Sequence, residues 1–443
     1  MGISKLMERL QEDFNSTVYF TIMSSIVKDL GLKPIGMDLI EWAEDWMPIL
    51  KIVREELTSE QVLKDVRIGA CLHIEGKTAV LIKTLTDAGA KVYVCASNPE
   101  STQDAVAAAL SDYAYIYAWR GETEEEYMEN IRRVIDKSPN IIIDDGADLT
   151  ITLHREYPEK ISYAYGVCEE TTTGVRRLKG LERDGLLKFP AIAVNDAMMK
   201  YLFDNRYGTG ESAVFGFLNA TNTVIAGKTV VVAGYGWVGR GVAQRFRGMG
   251  ANVIVTEVNP VRAVEACMDG FRVMRMIEAV KVADIVVTAT GNIDVVTGEH
   301  LKNMKDKCIL ANAGHFDVEV SVKDLEMEAV EKKDMRFFQT PYNTYMVRKY
   351  KLKNGKTIYL LGKGRLVNLA CGQGHAAEIM DLSFSLQAEC VRYLVKNRGK
   401  LERKVYKVPH EIDVKIAELK LKTLGVEIDK LTEKQKKYAE SWY

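Results

Sequence analysis

Three glycines in this chain have the spacing of a dinucleotide-binding loop. The apolar run 230–233 leads into Gly234, Gly236 and Gly239, and the chain then continues as a predicted helix. In such loops the first glycine permits a tight turn, the second lets the backbone approach a pyrophosphate, and the third lets the helix pack on the strand. The helix N-terminus then faces the phosphate charge. A glycine-rich turn without a ligand is the alternative, because the motif by itself is a weak signal.

The residues after this loop support the dinucleotide interpretation and favour one cofactor. Residues 252–256 have the pattern of the next strand, and Glu257 follows them at the distance from Gly234 that this motif requires. A carboxylate at this position holds the ribose hydroxyls and repels a 2′-phosphate, although nearby Arg262 softens that repulsion. The sequence therefore predicts NAD rather than NADP.

Polar clusters follow the predicted strands in the first half of the chain. They are His73 and the segments 144–148, 169–174 and 195–196. The carboxyl ends of parallel strands form the ligand crevice of an open sheet, so these side chains are expected to meet in one site. Helix capping is the alternative explanation for Thr171, Thr172 and Asp196, because such residues satisfy free backbone donors where a helix begins.

Lys200 and Asp204 have the spacing of an ion pair on one face of a helix. Residues four positions apart on a helix are neighbours, so the carboxylate can pair with the ammonium and tune it for proton transfer. An ordinary surface salt bridge is the alternative.

Short β-branched runs alternate with longer helical patterns along the chain, which indicates parallel sheets flanked by helices. Strands of a first set are predicted at 66–72, 91–96, 114–119, 140–143, 163–167 and 191–194. A second set is predicted at 229–233, 252–256, 285–288 and 308–311, with a polar hairpin at 353–356 and helices at 376–397, 411–424 and 431–443. The predicted fold class is therefore α/β, with two doubly wound parallel-sheet, Rossmann-like domains joined by a hinge and a helical C-terminal tail.

The composition is that of an ordinary globular protein. The chain has 443 residues, is 47% hydrophobic and carries a formal charge of −1, which gives no electrostatic reason to bind nucleic acid or an anionic membrane. It has no apolar run of membrane-spanning length. Residues 1–10 are charged and helical in pattern, without the apolar core of a signal peptide, so a cytoplasmic location is expected. The seven cysteines are scattered, and no metal site is predicted.

Several longer strings resemble the S-adenosylhomocysteine hydrolase family. The resemblance runs from about residue 44 to residue 435 and is carried by Cys71–His73, Ser101–Asp104, Tyr117–Thr123, Glu169–Gly174, Phe203–Asn205, Gly314–Asp317 and Gly364–Leu369. It implies a thioether hydrolase with NAD as a built-in oxidant. Such an enzyme oxidises the 3′-hydroxyl of an S-nucleosylhomocysteine, eliminates homocysteine, adds water and reduces the ketone again. Because the same NAD takes up the hydride and later returns it, the resemblance implies one tightly bound NAD per subunit.

The resemblance also implies roles for individual residues. Lys200 and Asp204 handle the proton of the 3′-hydroxyl. Asp145 and His73 serve the chemistry at C4′ and C5′, and His315 faces the substrate from the cofactor domain. The implied substrate-binding residues are Glu75, Lys77, Thr78, Glu170, Lys200, Asp204, Gln373 and His375. The implied cofactor-binding residues are Thr171, Thr172, Thr173, Asn205, Gly234, Gly236, Trp237, Val238, Gly239, Glu257, Arg262, Asn292, Asn312 and Asn368.

The family pattern also predicts how the chain is divided. Residues 1–200, completed by 374–402, form the substrate-binding domain, 206–372 form the NAD-binding domain, and 403–443 form a helical tail for oligomer contacts. Hinges are expected near 195–211 and 372–378. The family implies a homotetramer. Its members commonly end in a segment that reaches the neighbouring subunit's cofactor, whereas this chain ends at Glu440–Tyr443, which leaves that contact open.

One departure from the family pattern concerns the purine. Where the family has a threonine and then, two positions later, a glutamate or glutamine, this chain has Glu75 and Lys77. Lysine only donates hydrogen bonds, so it suits the C6 oxygen of hypoxanthine rather than the amino group of adenine. Gln373, where relatives often have methionine, can donate to one purine atom and accept from another. S-inosyl-L-homocysteine is therefore favoured over S-adenosyl-L-homocysteine. The alternative is an unspecific pocket in which Glu75 and Lys77 neutralise each other.

Two other classes of function share these motifs. An NAD-dependent dehydrogenase would release NADH, and a silent NAD-binding regulator would have lost its catalytic side chains. The silent regulator is disfavoured, because the acid–base residues implied by the resemblance are all present.

Overall fold

The computed structural model describes residues 20–22, 25–335 and 346–442 of the chain. Its strands are β1 (Phe20–Ile22), β2 (Ser25–Val27), β3 (Arg67–Leu72), β4 (Lys91–Ala96), β5 (Tyr115–Tyr117), β6 (Ile141–Asp144), β7 (Gly166–Glu169), β8 (Ala191–Ala193), β9 (Thr229–Ala233), β10 (Asn252–Thr256), β11 (Arg272–Val273), β12 (Ile285–Thr288), β13 (Cys308–Asn312), β14 (Ala329–Met335), β15 (Val347–Leu352), β16 (Thr357–Leu361) and β17 (Val405–Lys407).

The first sheet has the spatial order β1-β2-β5-β4-β3-β6-β7-β8-β17. Strand β1 is antiparallel to β2, and the other neighbouring strands are parallel. From β5 to β8 this is the doubly wound arrangement, in which the chain starts in the middle, moves to one side and then returns to the other. The order reverses between β3 and β6, so a ligand crevice is expected at their carboxyl ends.

The second sheet has the order β11-β10-β9-β12-β13-β16-β15-β14 and repeats the same winding. Its direction reverses between β9 and β12. Strand β16 is parallel to β13, whereas β15 is antiparallel to both β16 and β14. The β15–β16 pair confirms the predicted polar hairpin at 353–356.

Helices cover the faces of both sheets. They are α1 (Lys33–Asp45), α2 (Pro48–Glu60), α3 (Gly76–Asp87), α4 (Asp104–Leu110), α5 (Glu124–Asp136), α6 (Asp148–Glu156), α7 (Thr172–Arg183), α8 (Met198–Lys200), α9 (Thr209–Thr221), α10 (Trp237–Gly248), α11 (Pro260–Met268), α12 (Met276–Ala279), α13 (Gly298–Asn303), α14 (Val322–Glu328), α15 (Val367–Ala370), α16 (Ala377–Lys396), α17 (His410–Thr423) and α18 (Glu433–Glu440). A π-helical segment, Tyr201–Gly208, joins α8 to α9. Short 3-10 turns lie at Leu30–Leu32, Pro158–Tyr163, Val194–Asp196 and Gly362–Gly364.

The predicted fold class is confirmed, with two parallel-sheet α/β units and a helical C-terminal tail. The apolar runs form central strands because helices bury both of their faces, as at Ile141, Ile142 and Ile143, which are fully buried. The strand predicted at 163–167 was placed too early. Its first residue ends a 3-10 turn, and β7 begins at Gly166.

Several predictions concern the ends of the chain. The predicted helix at 1–10 lies outside the described residues. The three C-terminal helices are confirmed as α16, α17 and α18, but β17 was not predicted. Strand β17 pairs with β8, so residues directly after the predicted boundary at 402 extend the first sheet. The domain boundaries stay a prediction, as does the cytoplasmic location. In the part of the chain that the structure describes, no helix is long and apolar enough to cross a bilayer.

Candidate active site

A cavity of about 1000 Å³ lies between the two sheets. Its wall is formed largely by residues that follow the carboxyl ends of β3, β6 and β7 in the first sheet and of β9, β10, β12 and β13 in the second. The predicted site residues on this wall are His73, Glu75, Thr78, Asp145, Glu170, Thr171, Thr172, Thr173, Lys200, Asp204, Asn205, Gly234, Gly236, Trp237, Val238, Glu257, Arg262, Asn292, His315, Asn368 and His375. The structure therefore brings most of the predicted residues to one place.

The glycine loop has the close approaches that a dinucleotide loop requires. Gly234 has a φ of +96°, and an added Cβ would lie 2.7 Å from the Ala289 carbonyl oxygen. At Gly239 an added Cβ would lie 1.9 Å from the Gly234 carbonyl oxygen, so only glycine lets α10 pack this closely. Beside Gly236 the nearest atom to such a Cβ is Nη1 of Arg262, 3.6 Å away, which leaves room next to the backbone. Helix α10 also begins without a side-chain cap, as suits an anion site.

Glu257 lies at the end of β10, beside the glycine loop. Its carboxylate accepts hydrogen bonds from the backbone N–H groups of Tyr235 at 2.7 Å, Val258 at 2.7 Å and Asn259 at 2.9 Å. These bonds fix the carboxylate on the cavity wall, where dinucleotide folds bind the ribose hydroxyls.

Asn368 has a buried polar atom that lacks a partner. Its side chain lines the cavity, and its Oδ1 accepts no hydrogen bond from the described residues. Leaving such an atom unpaired costs about 1–3 kcal/mol, which a ligand that donates to it would recover. Thr171–Thr173 add polar groups from the segment that follows β7, Asn205 adds one from the π-helical segment, and Asn292 adds one from the loop that follows β12. The residues therefore fit a dinucleotide held from both sides of the cavity.

Lys200 is the centre of a buried charged cluster. Its ammonium lies 3.1 Å from Oδ1 of Asp204 and 3.4 Å from Oε1 of Glu170, and it donates to Oδ1 of Asn205 at 2.9 Å. The side chains of the lysine and both carboxylates are only 5–6% exposed. The Lys200–Asp204 pair is therefore not an ordinary surface salt bridge.

The protonation of this cluster is set by burial and by its opposite charges. Burial by itself lowers the pKa of Lys200, but Asp204 and Glu170 outweigh it and raise that pKa. Burial would raise the pKa of Asp204, but Lys200 and His375 hold it well below its usual range. Burial raises the pKa of Glu170 to about 7, against the opposing effect of Lys200. At neutral pH the cluster therefore contains a protonated Lys200, an ionised Asp204 and one carboxyl group, that of Glu170, which titrates near this pH.

Two side chains of helix α16 donate hydrogen bonds to the carboxylates of this cluster. The Ser383 hydroxyl donates to Oδ2 of Asp204 at 2.7 Å, and the Gln387 amide donates to Oε2 of Glu170. Both supporting side chains are fully buried. The sequence analysis missed them, although polar residues on the buried face of an apolar helix are a signal that could have found them.

His375 connects the Lys200 cluster to the predicted hinge at 195–211. Its Nδ1 lies 3.3 Å from Oδ1 of Asp204, and its Nε2 lies 3.2 Å from the Thr209 hydroxyl. Gly208 packs against the imidazole, so that an added Cβ would lie 3.0 Å from the ring. The histidine is thus held by the segment that joins the π-helix to α9.

A second cluster contains two histidines and one carboxylate. Nε2 of His73 lies 3.4 Å from Oδ2 of Asp145, and Nδ1 of His315 lies 3.5 Å from Oδ1 of the same carboxylate. His73 and Asp145 follow β3 and β6, whereas His315 follows β13, so both domains build this cluster. Burial lowers the pKa of His73 to about 4. Imidazole and carboxylate also bind metals, so the predicted absence of a metal stays a prediction.

Two further carboxylates stabilise the loops that carry these residues. Asp144 accepts from the backbone N–H and the hydroxyl of Thr150, at 2.8 and 2.7 Å. Glu169 accepts from the backbone N–H groups of Gly146 and Thr171, each at 2.9 Å. Burial raises the pKa of both carboxyl groups, that of Asp144 to about 7. Their role is to hold the loops that follow β6 and β7.

The residues predicted to face the purine are arranged around an ion pair. The Lys77 ammonium donates to Oε2 of Glu75 and to the Gln373 carbonyl oxygen, both at 2.7 Å. Glu75 lines the cavity, and burial raises its pKa. The Thr78 hydroxyl, also on the wall, donates to the His73 carbonyl oxygen at 2.6 Å. Lys77 and Gln373 are not part of the wall, and Gln373 is exposed. Their contact with a purine stays a prediction.

Two predicted cofactor residues also lie behind the wall. Gly239 packs on Gly234, as described above. The Asn312 amide donates to the carbonyl oxygens of Gly314, Phe316 and Gly364, and its Oδ1 accepts from Thr288 and Gly314. Asn312 thus shapes the loop that carries His315, and its contact with the cofactor stays a prediction.

Comparison with known proteins agrees with this geometry. The family model of S-adenosyl-L-homocysteine hydrolase matches residues 24–163, and the model of the NAD binding domain of S-adenosyl-L-homocysteine hydrolase matches residues 205–374. The first match covers strands β2 to β6 of the first sheet, and the second covers strands β9 to β16 of the second sheet.

Full-length relatives are similar over almost the whole chain. The chain is 54% identical over 417 residues to the S-inosyl-L-homocysteine hydrolase of Methanopyrus kandleri, covering 94% of this chain and 97% of that protein. It is 56% identical over 422 residues to the adenosylhomocysteinase of Saccharolobus solfataricus, covering 95% and 99%. It is 54% identical over 417 residues to the S-inosyl-L-homocysteine hydrolase of Methanocaldococcus jannaschii, covering 94% and 98%. The chain therefore belongs to the S-adenosyl-L-homocysteine hydrolase family, and it is a hydrolase whose cofactor is NAD.

Proposed function

We propose that this enzyme reversibly cleaves an S-nucleosyl-L-homocysteine to a nucleoside and L-homocysteine, by 3′-oxidation, elimination, water addition and 3′-reduction. One observation carries the proposal: two buried acid–base clusters, around Lys200 and around Asp145, share one cavity with the glycine loop. A simple dehydrogenase needs proton transfer at one oxygen. An elimination beside an oxidised carbon needs it at further positions, which the second cluster supplies.

Bound NAD would accept a hydride from the sugar and later return it. The Lys200 ammonium is suited to stabilise charge on the 3′-oxygen, because Asp204 and Glu170 keep it protonated. Because Lys200 stays protonated, the proton of the 3′-hydroxyl must pass to a carboxylate. Glu170, with a pKa of about 7, is able to exchange that proton near neutral pH.

The Asp145 cluster is suited to the elimination. His73 is neutral at neutral pH, because burial lowers its pKa to about 4, and it is therefore able to accept a proton. Asp145 lies between His73 and His315 and accepts no direct hydrogen bond at Oδ1 from the described residues. Although Nδ1 of His315 lies 3.5 Å away, this oxygen can therefore accept a hydrogen bond from the substrate or from a water.

For the purine we propose a preference for the inosyl substrate, with the adenosyl substrate as the alternative. Glu75 and Lys77 together present an acceptor and a donor, which match the N1–H donor and the O6 acceptor of hypoxanthine. Two N–H groups of Lys77 are used by Glu75 and by the Gln373 carbonyl, which leaves one for the purine oxygen. The chain is similar both to an S-inosyl-L-homocysteine hydrolase and to an adenosylhomocysteinase. This similarity supports the reaction but does not distinguish the inosyl from the adenosyl substrate.

The experiment follows condensation of homocysteine with inosine or adenosine by wild-type enzyme and by Lys77→Glu. Loss of the lysine donor leaves polar groups of hypoxanthine unpaired, so the inosine-to-adenosine ratio of kcat/KM should fall by about 5- to 150-fold, as expected for roughly 1–3 kcal/mol. Lys83→Glu, on the same helix and paired with Glu44 at 2.8 Å, is the matched control. Equal rates for both purines, unchanged by Lys77→Glu, would contradict the preference. Net release of NADH would instead support the dehydrogenase.

We also propose a homotetramer. The C-terminal tail carries exposed apolar side chains at Leu424, Ile428, Leu431 and Tyr438, which an interface would bury. Light scattering of the full chain and of a chain that stops before residue 424 tests this. A tetramer in both would show that the tail is not required for assembly, and a monomer in the first would contradict the proposal.

A further inference from the structure

A serine outside the predicted site contacts the imidazole of His73. Ser101 lies in the loop between β4 and α4, and its Oγ is 2.7 Å from Nδ1 of His73. The same hydroxyl lies 2.9 Å from the backbone carbonyl oxygen of Asn98. Ser101 is 6% exposed, so both contacts are shielded from water. Within the part of the chain that the structure describes, the contact with Ser101 is the one hydrogen bond that the His73 ring makes.

The protons available to these groups decide which atom donates. A serine hydroxyl has one proton and a carbonyl oxygen has none. Two oxygens 2.9 Å apart without a proton between them repel each other, so the proton of Ser101 belongs to its contact with Asn98. The contact of 2.7 Å with the imidazole then requires a proton on Nδ1 of His73.

We propose that Ser101 is a positioning residue that holds His73 in the tautomer with its proton on Nδ1, so that Nε2 is the proton acceptor in the cavity. This inference rests on the proposed function, because it assigns an atom to one of the proton transfers. Nε2 lies on the side of Asp145, 3.4 Å from Oδ2. Without Ser101 the opposite tautomer is favoured, because a proton on Nε2 would point toward the carboxylate of Asp145.

The second domain holds the loop that carries this serine. Oδ1 of Asn98 accepts from the backbone N–H of Glu100 at 2.9 Å and from the guanidinium of Arg365 at 3.4 Å. The ammonium of Lys363 lies 3.1 Å from Glu100. Arg365 also lies 3.3 Å from Asp317, two residues beyond His315. The loop that positions His73 and the loop that carries His315 are therefore held by the same arginine.

The direct test is nitrogen NMR of the holoenzyme with ¹⁵N-labelled histidine. The chain has six histidines, and His73→Gln identifies the signals of His73. At neutral pH the ring is neutral, so each of its nitrogens is either protonated or not, and the two states have well-separated shifts. We expect a protonated Nδ1 in the wild type and in Ser101→Thr, which keeps the hydroxyl. In Ser101→Ala we expect the proton to move to Nε2.

Turnover gives a second readout. General acid–base groups contribute about 10²–10⁴-fold, so holding His73 in the wrong tautomer in Ser101→Ala should lower kcat about 10-fold or more, with little change in KM. Ser101→Thr should restore most of the rate. Ser111→Ala is the matched control, because Ser111 is also buried and its hydroxyl also donates to the carbonyl oxygen three residues earlier, at 2.6 Å.

Two results would overturn the inference. One is a wild-type His73 with its proton on Nε2, and the other is an unchanged tautomer in Ser101→Ala. Neither depends on turnover. If the wild type cleaves neither nucleosyl homocysteine, the proposed function fails, while the NMR result still decides the tautomer.

Discussion

Replacing Lys200 by methionine tests the buried charge cluster directly. The substitution removes the cation but keeps an unbranched side chain beside Glu170 and Asp204, whose side chains are only 5–6% exposed in the wild type. Removing one partner of a buried ion pair costs about 3–5 kcal/mol, because the remaining charge is uncompensated. A buried carboxyl avoids part of this cost by taking up a proton.

This cost should depend on pH. In the wild type, Asp204 has a lowered pKa, so the stability it contributes is present above its usual pKa of 3.8 and is lost only at lower pH. Lys200 has a raised pKa, so its contribution is present below its usual pKa of 10.5 and is lost only at higher pH. Neither changes between about pH 5.5 and 7.5, whereas Glu170 titrates there in the wild type, and its pKa should rise further once Lys200 is removed. In the variant, Asp204 should retain a proton when folded, and its stability should fall as the pH rises.

The expected change in the free energy of unfolding with pH follows from a difference of one bound proton between the folded and unfolded states. A difference of one bound proton changes stability by about 1.4 kcal/mol per pH unit, or about 3 kcal/mol over two units. Urea unfolding of the holoenzyme at about pH 5.5 and 7.5, followed by circular dichroism, measures the deficit of Lys200→Met at each pH. The deficit should be larger at pH 7.5, and turnover should fall by about 10²-fold or more.

A matched control for this experiment is Lys179→Met. Lys179 pairs with Asp196 at 3.1 Å, but these side chains are 55% and 31% exposed, so little change in stability is expected. An equal deficit of Lys200→Met at both pH values, or a larger one at pH 5.5, would refute the assignment of Asp204 and Lys200 as a buried pair with opposite pKa shifts.

The cofactor loop and the support of Glu170 give two further predictions. Gly239→Ala should lower the NAD content of purified protein, because the added Cβ would lie 1.9 Å from a backbone oxygen, whereas Gly248→Ala, with nothing within 4 Å, should keep it; equal NAD contents would contradict the packing argument. Burial raises the pKa of Glu170 to about 7 and Gln387 opposes this by donating to it, so Gln387→Leu should move the acidic limb of the kcat/KM profile to higher pH, while Ser385→Ala should not. A limb that stays in place would show that Glu170 does not control it.

The sequence predicted the central strands more closely than the edge strands. Strands β4, β9, β10 and β12 have the predicted bounds, because their apolar runs are largely buried and end at clear turn residues, whereas β1, β2, β11 and β14 were not predicted. Strand β7 was shifted because Tyr163 and Ala164 continue an apolar pattern that the chain folds as the end of a turn. Strand β17 was missed because a strand of three residues at a sheet edge has little periodicity of its own.

The site residues also differ in how well the sequence predicted them. Residues that directly follow strands, such as His73, Asp145 and Glu257, could be predicted because the winding of a parallel sheet collects its carboxyl ends. Ser383 and Gln387 could not be predicted in the same way, since they reach Asp204 and Glu170 from a helix about 180 residues or more away along the chain. The surroundings of Lys77 could not be predicted either. Its ammonium pairs with Glu75 and with the backbone carbonyl oxygen of Gln373, which is distant in the sequence.

The sequence by itself determined the chemical groups of this protein: the glycine loop, the carboxylate that is predicted to favour NAD, and the lysine, histidines and carboxylates of the site. These follow from local spacing, since a turn, a helical face or a strand end fixes where neighbouring residues lie. Tertiary structure decided the protonation states. The pKa values of Lys200, Glu170 and His73 depend on burial and on charges brought from distant segments, and the proton of His73 depends on a serine from another loop. Burial and long-range contacts exist only once the two sheets have closed around the cavity.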